Sequence, residues 1–197
     1  MRASTQREFV AGPAGRIEVA LDRPEAQARG GALIAHPHPL FGGTLDNKVV
    51  QTLARAFVEL GYEAWRPNFR GIGQSEGAYD EGRGEVDDLH AVFARMAHAE
   101  IFVAGFSFGG AMAARLAARV KCRRLVLVAP AVASFPAPAV PPGTLVIHGE
   151  ADETVALADV MAWARPQELP VMVVPEAEHF FHRKLQVLRG IIEANCK

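Results

Sequence analysis

The chain has 197 residues, half of them hydrophobic, and a formal net charge of −1 from 21 basic and 22 acidic residues. This length and apolar content predict one domain over residues 1–197 with a core of ordinary size. Because the charges are balanced and interspersed, the sequence argues against nucleic-acid and anionic-membrane partners, which require a basic patch.

The N-terminal residues carry no apolar leader segment, and no later apolar run reaches the length of a membrane span. We therefore expect a cytoplasmic protein without a membrane partner. Cys122 and Cys196 are the two cysteines of the chain. Their positions match neither a disulfide framework nor a metal-ligand pattern.

Short apolar runs alternate with longer segments of helical period along the chain. This alternation predicts an α/β fold, a mainly parallel sheet with helices on both faces. Predicted strands lie at 6–11, 16–21, 31–36, 62–66, 100–104, 124–129, 143–148 and 170–174, and predicted helices at 45–60, 84–98, 108–119, 154–164 and 179–194. The Pro-rich segment 133–143 is too short for a lid domain, so we expect a solvent-open site, although a short loop could still shield it.

The pattern Gly-x-Ser-x-Gly, typical of a nucleophilic serine on a strand-to-helix turn, occurs twice. The first match, 73–77, places Ser75 in a glycine-rich loop that no helix follows, which favours an ordinary turn. The second, 105–109, follows an apolar strand and precedes an alanine-rich helical segment. Context therefore favours Ser107 as the nucleophile. The alternatives are a helix-capping serine and a phosphate-binding loop, but the phosphate-loop glycine patterns are missing.

A serine nucleophile needs an imidazole base and a carboxylate that orients the imidazole, and on this architecture the chain order is Ser, acid, His. Three histidines follow Ser107: His148, His179 and His182. His179 follows the last predicted strand, at the sheet edge where ligands bind, and is the predicted base. His182 lies further into the predicted helix and His148 at a strand end, positions that favour surface or structural roles.

The predicted acid is Asp152, because it follows the strand ending at 148 in a loop at the same sheet edge. Glu150 and Glu153 are competing carboxylates. Their positions favour a solvated loop charge for Glu150 and an acid in the first turn of a helix for Glu153. Asp159 should lie within a helix and out of reach.

The tetrahedral intermediate needs backbone N–H groups aimed at its oxyanion. Phe108, directly after the serine, is predicted to supply one. The second should come from the loop after the third strand, where Pro37 and Pro39 have no N–H. Leu40 is the predicted donor, with Phe41 as the alternative.

His36 and His38 lie two apart in the same loop and could face one way like a metal pair. No third ligand with suitable spacing is near. A role in bracing the loop is the preferred interpretation, and we expect neither a metal nor a cofactor.

With these residues in place, the sequence resembles the α/β-hydrolase superfamily, specifically its small lid-less bacterial serine hydrolases near the dienelactone hydrolases. The resemblance covers nearly the whole chain. It implies a three-layer α/β/α sandwich without a cap domain, with Ser107 as nucleophile, Asp152 as acid and His179 as base. It rests on five segments in family order: 36–44, 68–77, 105–110, 148–152 and 177–181.

The chain departs from the family pattern at two places. Dienelactone hydrolases proper use cysteine where this chain has Ser107, so their lactone substrate is not transferred. Many relatives have Asp where this chain has Asn68, in a loop whose role is structural.

The expected function is cofactor-independent hydrolysis of a small-molecule carboxylic ester, with thioesters or amides as alternatives on the same machinery. Apolar residues at the predicted site suggest a modest apolar acyl or alkoxy group. Phe41, Phe106 and Phe180 are predicted to contact substrate, with Leu40 and Phe135 nearby. A rival hypothesis is a non-catalytic binding protein that keeps the fold, but retention of all three catalytic residue types argues against it.

Overall fold

A computed structural model describes residues 5–197, so residues 1–4 of the predicted domain lie outside the described residues. Eight strands form one sheet in the order β1-β2-β4-β3-β5-β6-β7-β8. They are β1 (Thr5–Gly12), β2 (Gly15–Asp22), β3 (Gly30–Ala35), β4 (Tyr62–Pro67), β5 (Ile101–Phe106), β6 (Arg124–Val128), β7 (Leu145–Gly149) and β8 (Val171–Val174). The hairpin β1–β2 and the pair β2–β4 are antiparallel, and all other pairs are parallel. The predicted mainly parallel sheet is confirmed.

Helices cover both faces of the sheet, which is why β3, β5 and β7 are buried along their whole length. The helices are α1 (Lys48–Glu59), α2 (Arg83–Arg95), α3 (Phe108–Ala117), α4 (Leu157–Ala164) and α5 (Leu185–Asn195). The apolar core divides into two clusters, one between the sheet and α2, α3 and α4, the other between the sheet and α1 and α5. Within residues 5–197, each helix is too short or too polar to cross a lipid bilayer.

The last helix differs from its prediction. It begins at Leu185 rather than at 179, and residues 175–184 form turns instead. Glu176, Phe181 and Arg183 have positive φ values of 57°, 54° and 62° in this segment. Because left-handed backbone cannot continue a right-handed helix, His179 lies in a loop and not at a helix start.

The carboxyl ends of the parallel strands meet at one sheet edge. Ser107 follows β5, and two further loops leave the same edge after β7 and β8. Strand β6 separates β5 from β7, with Phe106 paired to Val128, and Gly149 is paired to Val174 across β7 and β8. Three loops that are distant in sequence are thereby brought together, as expected for an open α/β sheet.

Candidate active site

Ser107 lies at the tip of a sharp turn between β5 and α3. Its φ and ψ are 57° and −119°, a conformation that is costly for a residue with a side chain. The turn is held by hydrogen bonds: the Ser107 N–H donates to the Val128 carbonyl (2.9 Å), and the Ser107 carbonyl accepts the N–H of Gly110 (2.9 Å). The strain is therefore maintained by the surrounding fold.

The two glycines that flank Ser107 are required by close backbone approach. A Cβ at Gly105 would overlap the carbonyl of Gly109, one turn further along the chain. A Cβ at Gly109 would overlap the carbonyl oxygens of Ala35 and His36 at the end of β3. Glycine at both positions lets the turn lie directly against the loop that follows β3.

Ser107, His179 and Asp152 form a continuous hydrogen-bonded chain. The Ser107 Oγ lies 3.1 Å from His179 Nε2, and His179 Nδ1 lies 2.7 Å from Asp152 Oδ2. The other carboxylate oxygen, Oδ1, accepts the N–H groups of Thr154 (2.9 Å) and Val155 (2.8 Å). All three side chains that the sequence singled out are brought together, and each is largely buried.

Asp152 is held in its ionised form by its neighbours. Burial raises the pKa of this carboxyl, but the hydrogen bond from His179 and the N–H groups of Val155 and Thr154 outweigh it, so the pKa of Asp152 falls below its ordinary value. A carboxylate at this place fixes the Nδ1–H tautomer of His179, which leaves Nε2 free to accept the proton of Ser107.

His148 lies directly behind Asp152 and was not assigned to the site from the sequence. Its Nε2–H donates to the Val155 carbonyl (2.9 Å) and is 3.6 Å from Asp152 Oδ2. Burial lowers the pKa of His148 and keeps the ring neutral. The sequence feature that indicates this contact is the position of His148, four residues before the acid at the end of a buried strand.

The loop that carries His179 is tied to the loop that carries Asp152. The Glu176 N–H donates to Glu150 Oε2 (3.0 Å), and the Ala151 N–H donates to the Ala177 carbonyl (2.9 Å). The competing acid Glu150 therefore serves as a tether between the loops. Glu153 and Asp159, the other carboxylates considered, are exposed.

Phe106 does not line the site surface. Its ring is fully buried, 4.8 Å from the ring of His179 and 5.8 Å from that of Phe180, measured between centroids. The prediction that Phe106 contacts substrate is wrong, because its ring packs in the core beneath His179. It supports the imidazole from the protein side.

Ser75, the serine of the first Gly-x-Ser-x-Gly match, has a structural position. The Ser75 Oγ donates to the Asn68 carbonyl (2.8 Å) and accepts the N–H of Glu18 (2.9 Å), in a buried turn. His182, by contrast, is exposed, and its Nδ1 is hydrogen bonded to Glu178. Ser75 thus has the position of an ordinary turn residue, whereas Ser107 lies on the strand-to-helix turn.

Several backbone N–H groups of the loop after β3 donate hydrogen bonds within the loop itself. Residues Pro39–Phe41 form a 3-10 turn capped by His38. The Leu40 N–H donates to His38 Nδ1 (3.2 Å), and the Phe41 N–H donates to the His38 carbonyl (3.1 Å). Among residues 5–197 the backbone N–H of His38 itself has no hydrogen-bond partner. Neither predicted donor, Leu40 nor its alternative Phe41, is therefore free in this loop.

His36 is fixed at the start of the same loop. Its Nε2 accepts the Phe69 N–H (3.0 Å) and its Nδ1 donates to the Pro37 carbonyl (2.7 Å). Burial lowers the pKa of His36 to about 4, so the ring is neutral. The ring atoms of His36 are thus engaged in bracing the loop, as the sequence suggested.

Exposed apolar side chains lie beside His38 and His179. Leu40 and Phe41 are 64% and 87% exposed, and Phe180, beside His179, is 41% exposed. The segment 131–143 reaches the turn at Ser107 through Phe135, whose ring is 4.8 Å from that of Phe108.

A cavity of about 860 Å³ lies elsewhere, between α1 and the antiparallel strands. Its walls carry as many acidic as basic side chains, and Ser107, Asp152 and His179 are not among its lining residues.

The profile of the family described as serine aminopeptidase, S33, matches residues 42–143, a little over half of the chain. The chain belongs to this family of α/β serine hydrolases. The matched segment contains Ser107 and ends before Asp152 and His179.

Two solved structures resemble this chain over nearly its full length. An α/β serine hydrolase homologue from Coxiella burnetii is 41% identical, with 98% of this chain and 97% of that chain covered and a TM-score of 0.88. An α/β serine hydrolase without a lid from Xanthomonas campestris is 37% identical, with 99% and 94% covered and a TM-score of 0.87. A further relative, an uncharacterized protein from Rickettsia prowazekii, is 32% identical over 195 residues, 89% of this chain and 82% of that protein. The predicted superfamily and three-layer fold without a cap are therefore confirmed.

Proposed function

We propose that this S33 hydrolase is a cofactor-independent esterase that forms an acyl-serine intermediate. The observation that carries the proposal is the hydrogen-bonded chain from Ser107 through His179 to Asp152, with the serine on a strained turn. A nucleophile bonded to a base, and a base bonded to a buried carboxylate, is the arrangement that acyl transfer requires. A binding protein would have no need of the strained serine.

The reaction follows from the positions of the atoms. Ser107 Oγ attacks the ester carbonyl carbon while His179 Nε2 takes the hydroxyl proton, and Asp152 stabilises the imidazolium that forms. The tetrahedral intermediate collapses, the C–O bond to the alcohol breaks, and His179 protonates the departing oxygen. Water, activated by His179, then attacks the acyl-serine and releases the acid.

Two backbone N–H groups are available for the oxyanion. Phe108 is the first residue of α3, where N–H groups have no partner within the helix. For the second donor we propose the backbone N–H of His38 rather than that of Leu40. The Leu40 N–H is hydrogen bonded within the loop, whereas the His38 N–H is unpaired among the described residues. The sequence also indicates this donor, because His38 stands between Pro37 and Pro39, which have no backbone N–H.

Small apolar esters fit this surface best. Phe41 and Phe180 present exposed rings, Phe41 beside His38 and Phe180 beside His179, and suit an acyl or alkoxy chain of a few carbons. Thioesters place the same carbonyl in the same geometry and come within the proposal.

The test is a panel of p-nitrophenyl esters from acetate to octanoate, together with the matching p-nitroanilides. We expect ester turnover with an initial burst of p-nitrophenol, and little anilide cleavage. Ser107→Ala should abolish the turnover. Cleavage of anilides in preference to esters would replace the esterase by an amidase, and absence of both activities in the folded protein would refute the proposal.

A matched pair of histidine variants tests the base. His179→Ala should lower kcat by on the order of 10⁴ or more, whereas His182→Ala, three residues further along an exposed surface, should leave kcat within about twofold of wild type. Equal losses in both variants would contradict the assignment of His179.

A further inference from the structure

We propose that the His38 side chain is a positioning residue that holds the loop carrying the second oxyanion donor, by accepting the Leu40 N–H at Nδ1. This inference rests on the proposed esterase function. It concerns the imidazole of His38, whereas the oxyanion donor is the backbone N–H of the same residue.

The hydrogen bonds that close this loop converge on His38. Its Nδ1 accepts the Leu40 N–H, and its carbonyl accepts the N–H groups of Phe41 (3.1 Å) and Gly43 (3.0 Å). Apolar burial contributes little at the tip, because the Leu40 and Phe41 side chains are mostly exposed. The direction of the unpaired His38 N–H therefore depends on the 3-10 turn that the imidazole caps.

The ring of His38 is held so that Nδ1 faces Leu40. Its centroid lies 5.0 Å from the Phe108 ring and 5.2 Å from the Tyr79 ring. Because Nδ1 accepts a hydrogen bond, the proton of the neutral ring is on Nε2, which faces the Tyr79 hydroxyl at 3.3 Å. Burial lowers the pKa of His38 despite the opposing charge of Glu85, which favours this neutral form.

The imidazole also links the two halves of the oxyanion site. Phe108, against which the ring packs, is the residue whose N–H is the first donor. The turn that the Nδ1 hydrogen bond caps therefore lies beside the first donor's residue, and the geometry of that turn sets the separation of the two N–H groups. Preorganised donors stabilise the transition state more than the bound substrate.

Two variants separate the hydrogen bond from the ring. His38→Asn keeps an acceptor at the N-cap position, where Asn is favoured, but lacks the ring. His38→Phe keeps the aromatic packing but has no acceptor. For hydrolysis of p-nitrophenyl butyrate, we expect His38→Phe to lower kcat by about 10- to 100-fold with KM changed less than about threefold, and His38→Asn to stay within about fivefold of wild type.

Amide exchange of Leu40, followed by NMR, gives a readout that does not depend on activity. The Leu40 N–H should be protected in wild type and in His38→Asn, and exchange faster in His38→Phe. Equal kcat in wild type and His38→Phe, or an Asn variant as impaired as the Phe variant, would overturn the positioning role. An unprotected Leu40 N–H in an active wild type would also overturn that role alone, whereas an inactive wild type would refute the esterase proposal and this inference with it.

Discussion

At the scale of single residues, Asp152 shows how one side chain serves both structure and chemistry. One oxygen accepts two backbone N–H groups of its own loop, which leaves the other to bond His179. The carboxylate is therefore oriented before it acts on the imidazole. Because the loop already restricts rotation of the carboxylate, little conformational entropy is lost when it bonds His179.

Asp152→Asn should leave the fold intact and lower kcat for activated esters by about 10⁴-fold, because an amide no longer enforces the Nδ1–H tautomer of His179. Steady-state kinetics and the thermal midpoint measure the two effects. Glu153→Gln, an exposed neighbour, is the control and should be near wild type. A loss of less than about tenfold in Asp152→Asn would redirect attention to Glu150.

Phe41→Ala should raise KM for the octanoate ester by on the order of tenfold and leave the acetate ester nearly unchanged, since about 1–2 kcal/mol of apolar contact depends on chain length. Stability should not change, because the ring is 87% exposed. Kinetics across the ester series provide the measurement. Parallel changes for both esters would mean that Phe41 does not contact the acyl chain.

Residues of the candidate site are predictable from sequence where a residue type suited to catalysis directly follows a predicted strand. Ser107, Asp152 and His179 each follow a parallel strand, and motif and chain order select these three side chains, which the structure brings into one hydrogen-bonded chain. Phe106 could not be placed this way, because it is the last residue of β5 and a side chain there can face the core or the edge. The Leu40 N–H is engaged in a hydrogen bond to His38 Nδ1, a side-chain contact that spacing does not reveal.

At the scale of elements, the elbow depends on contact between α3 and the end of β3. Gly109 lies against the carbonyl oxygens of Ala35 and His36 without room for a side chain. The helix that presents Ser107 and the loop that presents His38 are therefore in direct backbone contact. A change at this contact should affect stability and catalysis together.

Gly109→Ala should destabilise the protein by about 1–3 kcal/mol and reduce turnover, because the added methyl displaces the elbow from β3. The matched control is Gly190→Ala in α5, where a Cβ meets nothing within 4 Å. That change should stabilise by about 0.5–1 kcal/mol. Urea unfolding of both variants measures the difference, and equal effects would contradict the close contact.

The start of α5 shows what sequence periodicity could not reveal. Apolar positions three and four apart continue back to 179, so the pattern predicts helix there. The backbone instead takes left-handed values at Glu176, Phe181 and Arg183, residue types for which sequence gives no such signal. Hydrogen bonds at Glu176 and Ala177 tie this loop to the acid loop, a tertiary contact that periodicity does not predict.

At the scale of the whole molecule, two apolar clusters enclose the sheet, and alternating apolar segments predicted this arrangement. His36 and His148 are buried in this core, and burial lowers the pKa of both rings, which favours their neutral forms. His36 accepts the Phe69 N–H and thereby joins the loop after β3 to the loop after β4. Protonation would remove that acceptor.

This burial predicts a pH-dependent stability. The pKa of His36 is lowered from 6.5 to about 4, so between these values the unfolded chain takes up a proton that the folded protein resists. The free energy of unfolding should fall as pH decreases through this window, by about 3 kcal/mol in all. Urea unfolding at pH 4 to 7.5 should show a shallower decline in His36→Gln than in wild type. Parallel curves would contradict the prediction.

Labelling with a fluorophosphonate tests whether Ser107 is the nucleophile, because this reagent reacts with activated serines. Intact-mass spectrometry should show one adduct per chain, located on the peptide that contains Ser107. The adduct should vanish in Ser107→Ala and persist in folded Ser75→Ala, which alters the other Gly-x-Ser-x-Gly motif. Labelling that continues in Ser107→Ala, or a folded wild type that is not labelled, would contradict the account.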